Sequence, residues 1–177
     1  MELIFKPLEQ KEAIVVLGWQ YPSPYDRYNF VRGNFSEDDL KKALIDLTNP
    51  ENAFFSIFGE RNTLEGVCSF GPDGQVPGGD YSKKALDIGM GLRPDLTGKG
   101  LGQQYAAAVV KFGISRYRPQ QLRVTIAAFN RRAQTVWQRL GFTPIARFTK
   151  TNGQDLFTVM TCSSEGFVSP ERGIKQS

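Results

Sequence analysis

Apolar positions recur along the chain with two periods, and the switches between them divide it into elements. "MELIFK" alternates apolar and polar residues, the period of a half-buried strand. Pro7 then suits the first turn of a helix with Ile14 and Leu17 on its apolar face and Gly18 near its end. "WQYPSPYDRYNF" is broken by prolines and dense in aromatics, so it reads as a loop. "SEDDLKKALIDLTNP" returns to helical spacing. Ser36 and Asp39 form a box-like cap, Leu40, Ala43, Leu44 and Leu47 the buried stripe, and Asn49-Pro50 the stop.

Downstream, "AFFSIFGERNTLEGVCSFG" is two strands around a polar turn, and "PDGQVPGGDYSKK" is a glycine-rich loop. "ALDIGMGLRP" is a strand with two internal glycines, and "GLGQQYAAAVVKFGISRY" a long helix with Leu101, Tyr105, Ala108, Val109 and Phe112 on one face. "QLRVTIAAF" is a strand. "NRRAQTVWQRLGF" is a helix with Ala133, Val136, Trp137 and Leu140 on one side and Gly141 as its stop. "TPIARFTKTNGQDLFTVMTC" is a hairpin around Asn152-Gly153. The order β α α β β β α β α β β mixes hairpin and crossover connections, which predicts a mixed α/β fold: one sheet with helices on both faces. Residues 1–162 read as a single domain, and residues 163–177, polar with Gly and Pro, as a flexible C-terminal tail.

Composition narrows the chemistry. The chain has 177 residues, enough for one domain with a real core. It contains no histidine, which removes the usual general base and every Ser-His or Cys-His device. Cys68 and Cys162 lie far apart in apolar strands and form no ligand pair, so buried thiols in a reducing cytoplasm are expected, and no metal. The early acid in "MELIFKPLEQ" and the lack of a long apolar run argue against a signal peptide or a membrane span. The net charge of +4 suits an anionic ligand and, equally, a mildly basic surface.

The most informative stretch is "TGKGLG", Thr97 to Gly102. A P-loop would need GxxxxGK followed by Ser or Thr, and Gly100 follows Lys99 here. A Rossmann turn would need GxGxxG after the first strand; the spacing here is GxGxG after the fourth. What remains is a helix start at which Gly98, Gly100 and Gly102 let bare N–H groups converge on one anion, aided by the helix dipole. A loose glycine turn before an ordinary helix fits the same letters. The preceding strand carries Gly89 and Gly91, which mark a bulge or a ligand's close approach. A pyrophosphate with an extended arm, the shape of coenzyme A, suits both features.

Two local patterns carry a family resemblance. Thr97-Gly98-Lys99-Gly100-Leu101-Gly102 is similar to the Q/R-x-x-G-x-G/A turn, and Asn130, Ala133, Trp137, Gly141 and Phe142 to the late N-x-x-A-x-x-x-Y-x-x-x-G-F helix, of the GNAT superfamily of acetyl-CoA-dependent N-acetyltransferases. The resemblance runs in element order from Met1 to about Cys162. It implies a mostly antiparallel sheet of about seven strands, splayed between the fourth and fifth, with the pantetheine arm of acetyl-CoA in the gap. On that basis the backbone of Met90 and Leu92 bonds the arm, and the turn from Thr97 through Gly98, Lys99, Gly100 and Leu101 to Gly102 holds the pyrophosphate. Asn130 and Ala133 lie against the pantetheine side, Trp137 stands at the cofactor site or packs in the core from the apolar face of its helix, and Lys99, Arg131 or Arg139 meets phosphate.

Acetyl transfer to an amine needs a bound thioester, a neutral amine, a donor to the oxyanion and a proton for the thiolate. The backbone at Met90 is the candidate oxyanion contact. Asp87, in phase with Gly89 and Gly91, is the candidate general base; Glu65 and Asp80 are weaker ones. The acceptor is expected among Trp19, Tyr21, Tyr25, Tyr28 and Phe30, with Asp26 to attract a cationic amine; rings that simply cover one end of the core fit the same letters. The acceptor is a small-molecule or peptide amine; no nucleic-acid or membrane partner is expected, and a homodimer is a further expectation of the resemblance. The family's tyrosine, often the acid that returns a proton to the thiolate, is Trp137 here. An indole N–H is no useful acid near neutral pH, so a CoA-binding protein of the same fold with little catalysis is the alternative.

Overall fold

The structure is a computed structural model that describes residues 2–33 and 35–170. The strands are β1 (Ile4–Pro7), β2 (Phe54–Phe58), β3 (Leu64–Phe70), β4 (Leu86–Leu92), β5 (Gln121–Ala127), β6 (Thr143–Thr149) and β7 (Leu156–Ser163). The helices are α1 (Gln10–Leu17), α2 (Glu37–Thr48), α3 (Gly102–Tyr117) and α4 (Arg131–Arg139). The element order is the one that the periodicities predict. The sheet runs β1-β2-β3-β4-β5-β7-β6, and every neighbour pair is antiparallel except β4–β5. A parallel pair needs a crossover, which α3 supplies. This is the mixed, mostly antiparallel seven-stranded architecture that the resemblance implies.

Two apolar clusters cover the sheet. Tyr105, Val109 and Val110 of α3 and Trp137 of α4 pack against Phe55, Phe70, Ile88 and Leu122 on one face. Ala13, Val16 and Leu17 of α1 pack with Trp19, Leu47 and Val67 on the other. Local details differ from the sequence expectation where strand and loop contacts override helical spacing. Pro7 ends β1 opposite Phe55 instead of opening α1, so the buried face of α1 is set by Ala13, Val16 and Leu17, and Ile14 is 51% exposed. Leu40 is likewise exposed on α2, although the Ser36–Asp39 capping box forms as expected. After β7 the chain does not run free at once. Phe167 packs on the core, and Val168 N–H donates to the Leu140 carbonyl at 3.0 Å. The rest of the expected tail, 171–177, lies outside the described residues. No helix among the described residues is long and apolar enough to cross a membrane.

What positions the site is the junction of β4 and β5. They pair only at Leu86–Leu122 and Asp87–Arg123, and diverge beyond. At the last pair, Arg123 donates from Nε to Asp87 Oδ1 at 2.6 Å and from Nη2 to Oδ2 at 2.8 Å, with the side chains 4% and 3% exposed. Gln75 Nε2 also donates to Asp87 Oδ2 at 2.8 Å, Arg123 Nη1 donates to the Lys83 carbonyl, and the Tyr81 ring lies 4.8 Å from the guanidinium carbon. The Asp87 carboxylate holds the Arg123 pKa above its ordinary value. Breaking one side of such a buried pair leaves an uncompensated charge. Arg123→Ala is therefore expected to lower unfolding free energy by about 3–5 kcal/mol, read from urea denaturation, whereas Arg131→Ala on the exposed face of α4 is expected to change it by less than about 0.5 kcal/mol.

Candidate active site

Backbone register defines one wall of the gap. Arg93 N–H donates to the Glu65 carbonyl and Gly71 N–H to the Asp87 carbonyl, both at 2.9 Å, which fixes the alternation along β3–β4. Gly89 and Gly91 thus bond β3, while Ile88, Met90 and Leu92 turn their N–H and C=O groups toward β5. The same alternation on β5, set by Ala128 N–H to the Leu156 carbonyl, turns Thr125 and Ala127 toward β4. Above the Asp87–Arg123 junction these groups face each other across a cavity of about 740 Å³. The Leu92 carbonyl already accepts from the Tyr21 hydroxyl at 2.7 Å, so Leu92 offers an arm only its N–H. Burial pushes the Tyr21 pKa up to about 12, which keeps that hydroxyl a neutral donor.

At the wide end of the gap the chain turns into α3. Gly98 and Gly100 have φ of +75° and +77°, in the left-handed region that glycine enters without strain. The N-cap, Leu101, makes no side-chain cap bond, and among the described residues no N–H in 98–103 has a protein acceptor. An anion is the partner that such a set of donors fits. Thr97 lines the cavity, but both its N–H and its hydroxyl donate to the Pro94 carbonyl, so its side chain shapes the turn. Leu101 packs into the core, and Lys99 is exposed and lies outside the cavity wall.

The opposite wall comes from α4. Asn130 caps it, accepting from Ala133 N–H at 3.1 Å and donating from Nδ2 to the Tyr28 hydroxyl at 3.1 Å. Asn130, Ala133, Trp137 and Arg139 all line the cavity. Trp137 is 5% exposed and packs edge-on against Phe142 with ring centroids 4.9 Å apart, so it belongs to the core as well as to the cavity floor. Arg131 points to a separate small pocket beside Pro144 and Arg147. The cation that does reach the glycine turn is Arg132. Its Nη1 would lie 3.2 Å from a Cβ on Gly98, and its guanidinium carbon stands 3.9 Å from the centre of the Tyr25 ring. Arg132 is not among the cations that the sequence points to; its place two residues after Asn130 is the signal that marks it.

The aromatic loop roofs the gap. Trp19, Tyr21, Tyr25, Tyr28 and Phe30 all line the cavity. Tyr28 stacks on Phe129 at 5.8 Å, and desolvation raises its pKa. Arg27 pairs with Asp155 at 2.6 Å.

The expected base requires correction. Asp87 does share the strand face of Gly89 and Gly91, but both its oxygens are taken by Arg123 and Gln75, and it is absent from the cavity wall. It is a structural anchor. Glu65 accepts from the Tyr105 hydroxyl at 2.6 Å, an interaction that, after burial, raises the Tyr105 pKa. Asp80 accepts from Ser82 N–H. The carboxylate that lines the cavity is Asp73, in the turn after β3, at the start of the glycine-rich loop where no period marks any residue.

Comparison with known proteins gives the family and the fold. The family model described as an acetyltransferase (GNAT) domain matches residues 2–143. Spermidine N-acetyltransferase from Vibrio cholerae, solved in complex with CoA and spermine, has a TM-score of 0.70 at 15% identity, over 93% of this chain and 96% of that one. A GNAT-family acetyltransferase from Bacillus anthracis gives 0.70 at 19% identity, over 93% and 96%. A dodecameric form of the Vibrio cholerae enzyme gives 0.64 at 14%, over 92% and 94%. No curated protein matches. At such identities the solved structures speak for the fold alone.

Gly100→Asp tests the glycine turn. It forces a side chain onto a positive-φ position and puts a negative charge beside the free N–H groups of residues 98–103. The expected result is a loss of CoA affinity of at least about 100-fold, roughly 2.7 kcal/mol, in a titration calorimeter.

Proposed function

The chain belongs to the GNAT acetyltransferase family, and from that premise we propose that it moves an acetyl group from acetyl-CoA to a primary amine by direct attack on the bound thioester. The observation that carries this reading is a single cavity running from the free N–H groups of residues 98–103, between the unpaired backbone edges of β4 and β5, to the aromatic loop. We read residues 1–162 as the acyltransferase domain.

In this reading the N–H groups of residues 98–103 hold the pyrophosphate, with Arg132 and Arg139 beside them. The gap-facing groups of Met90, Leu92 and Thr125 bracket the pantetheine arm, and the Met90 N–H faces the carbonyl oxygen as charge develops on it. Ala133 and Trp137 supply an apolar flank that excludes water. The amine approaches from the face on which Gly89 and Gly91 leave room. A CoA-binding protein without turnover is the competing reading, favoured by the core packing of Trp137 and the full engagement of Asp87.

Mixing the protein with acetyl-CoA and a panel of amines decides between them. Acetyl-CoA at 100 times its Kd is expected to add about 2.7 kcal/mol of stability, and free thiol is expected to appear with at least one amine. Binding without thiol release across the panel identifies the silent binder. The rate under subsaturating amine is expected to rise about tenfold per pH unit well below an amine pKa near 10.4, because only the neutral amine attacks.

A further inference from the structure

The acceptor end of the cavity carries a chemical signature of its own. Among the described residues that line the cavity, Asp73 is the one acidic side chain. Its Oδ2 accepts a 2.8 Å hydrogen bond from Ser69 Oγ, and Ser69, on β3, is 2% exposed. The carboxylate stands directly over β4. A Cβ on Gly89 would collide with Ser69 Oγ and come within 3.5 Å of Asp73 Oδ2. Asp73 is thus one residue from the gap-facing N–H of Met90, on the face by which an acceptor enters. Its other oxygen, Oδ1, has no protein hydrogen-bond partner among the described residues, and the residue is exposed to solvent.

The surrounding wall is flat and apolar. Beside Gly91 lie the Tyr21 hydroxyl and Val67, at 3.6 and 3.5 Å from a Cβ there, and Trp19, Phe54 and Tyr28 continue the wall. A polyamine would bring several ammonium groups into a chamber with one carboxylate. A monoamine with a flat apolar body would bring one ammonium to that carboxylate and bury its body against rings.

Resting on the acetyl-transfer reading, we infer that the acceptor is a primary monoamine on an aromatic or similarly flat apolar body, and that Asp73, held by Ser69, binds its ammonium end and receives its proton. The step balances as follows. The ammonium passes one proton to Asp73 Oδ1, which returns it to water at the cavity mouth. The freed nitrogen pair forms the C–N bond at the thioester carbonyl. The C–S bond breaks, the sulfur keeping the pair. The second proton that nitrogen sheds on becoming an amide is taken up by the sulfur. One ammonium and one thioester give one amide, one thiol and one solvent proton. No separate acid is required at position 137.

The experiment measures thiol release with 2-phenylethylamine, tyramine and spermidine, for the parent, Asp73→Asn and Ser69→Ala proteins, alongside the melting-temperature rise given by acetyl-CoA. The arylethylamines are expected to exceed spermidine by about tenfold in kcat/KM. Asp73→Asn is expected to lower amine kcat/KM by about 100-fold with the acetyl-CoA stabilisation retained, which shows that fold and CoA site are intact. Ser69→Ala, which frees the carboxylate without removing it, is expected to raise the amine KM more than it lowers kcat. Spermidine turned over as well as the arylethylamines overturns the acceptor class. Asp73→Asn within about threefold of the parent overturns the role of Asp73, and an unchanged amine KM in Ser69→Ala overturns that of Ser69. Acetyl-CoA stabilisation with no thiol from any amine removes the acetyl-transfer reading itself, and this inference with it.

Discussion

The bidentate pair between Asp87 and Arg123 is the constraint on which the site depends. It sits at the last point where β4 and β5 touch, with both side chains almost wholly buried. Below it, the two half-sheets share a parallel ladder. Above it, the strand edges part, and each presents backbone groups with no strand to pair with. Buried backbone polar groups are rarely left unpaired in proteins, so a wedge of this kind offers donors and acceptors that an extended polar ligand can pair. Gln75 and Lys83 add further bonds to the pair. Both belong to the loop between β3 and β4, so the same contacts that hold the junction also order the loop that presents Asp73.

Bridging is repeated at the open end by the aromatic loop. Tyr21 is bonded to Leu92, on the half-sheet of β1 to β4. A few residues on, Tyr25 and Tyr28 pack on Phe129, Tyr28 meets Asn130, and Arg27 reaches Asp155, all on the half-sheet of β5 to β7. The loop therefore spans the wedge that the ion pair opens. Its rings are neither plain core nor free surface: they close the gap from above while their inner faces line it.

Much of this was legible in the sequence, for identifiable reasons. Hydrophobic period is a local signal, and it gave every strand and helix in order. The glycine turn before α3 is a local signal too, and Gly98 and Gly100 do take the left-handed conformation there; the Asn130 cap of α4 is equally local but is not part of the sequence expectation. The failures are long-range. Strand phase put Asp87 on the right face, but nothing local says that Arg123, across the parallel pair, will occupy both its oxygens. Arg132 was passed over in favour of Arg131 because the exit angle of α4 from its cap decides which of two adjacent cations faces Gly98. Asp73 lay in a glycine-rich loop with no period at all. It gains meaning only when β3 brings Ser69 opposite Gly89.

Charge along the cavity matters more than the modest net charge of the chain. Arg132 lines the end where α3 begins, together with the free N–H groups and the positive end of that helix's dipole. Asp73 stands alone toward the other end. A ligand with an anionic terminus and a neutral reactive terminus is oriented by the first set, and a cation is drawn to the second. The low-dielectric aromatic wall between them strengthens both attractions relative to water. The two ends cannot exchange ligands, because each repels the charge that the other binds. An amine held at Asp73 therefore meets the uncharged end of whatever lies along β4, at the level of Met90, where the unpaired N–H is available to a developing oxyanion.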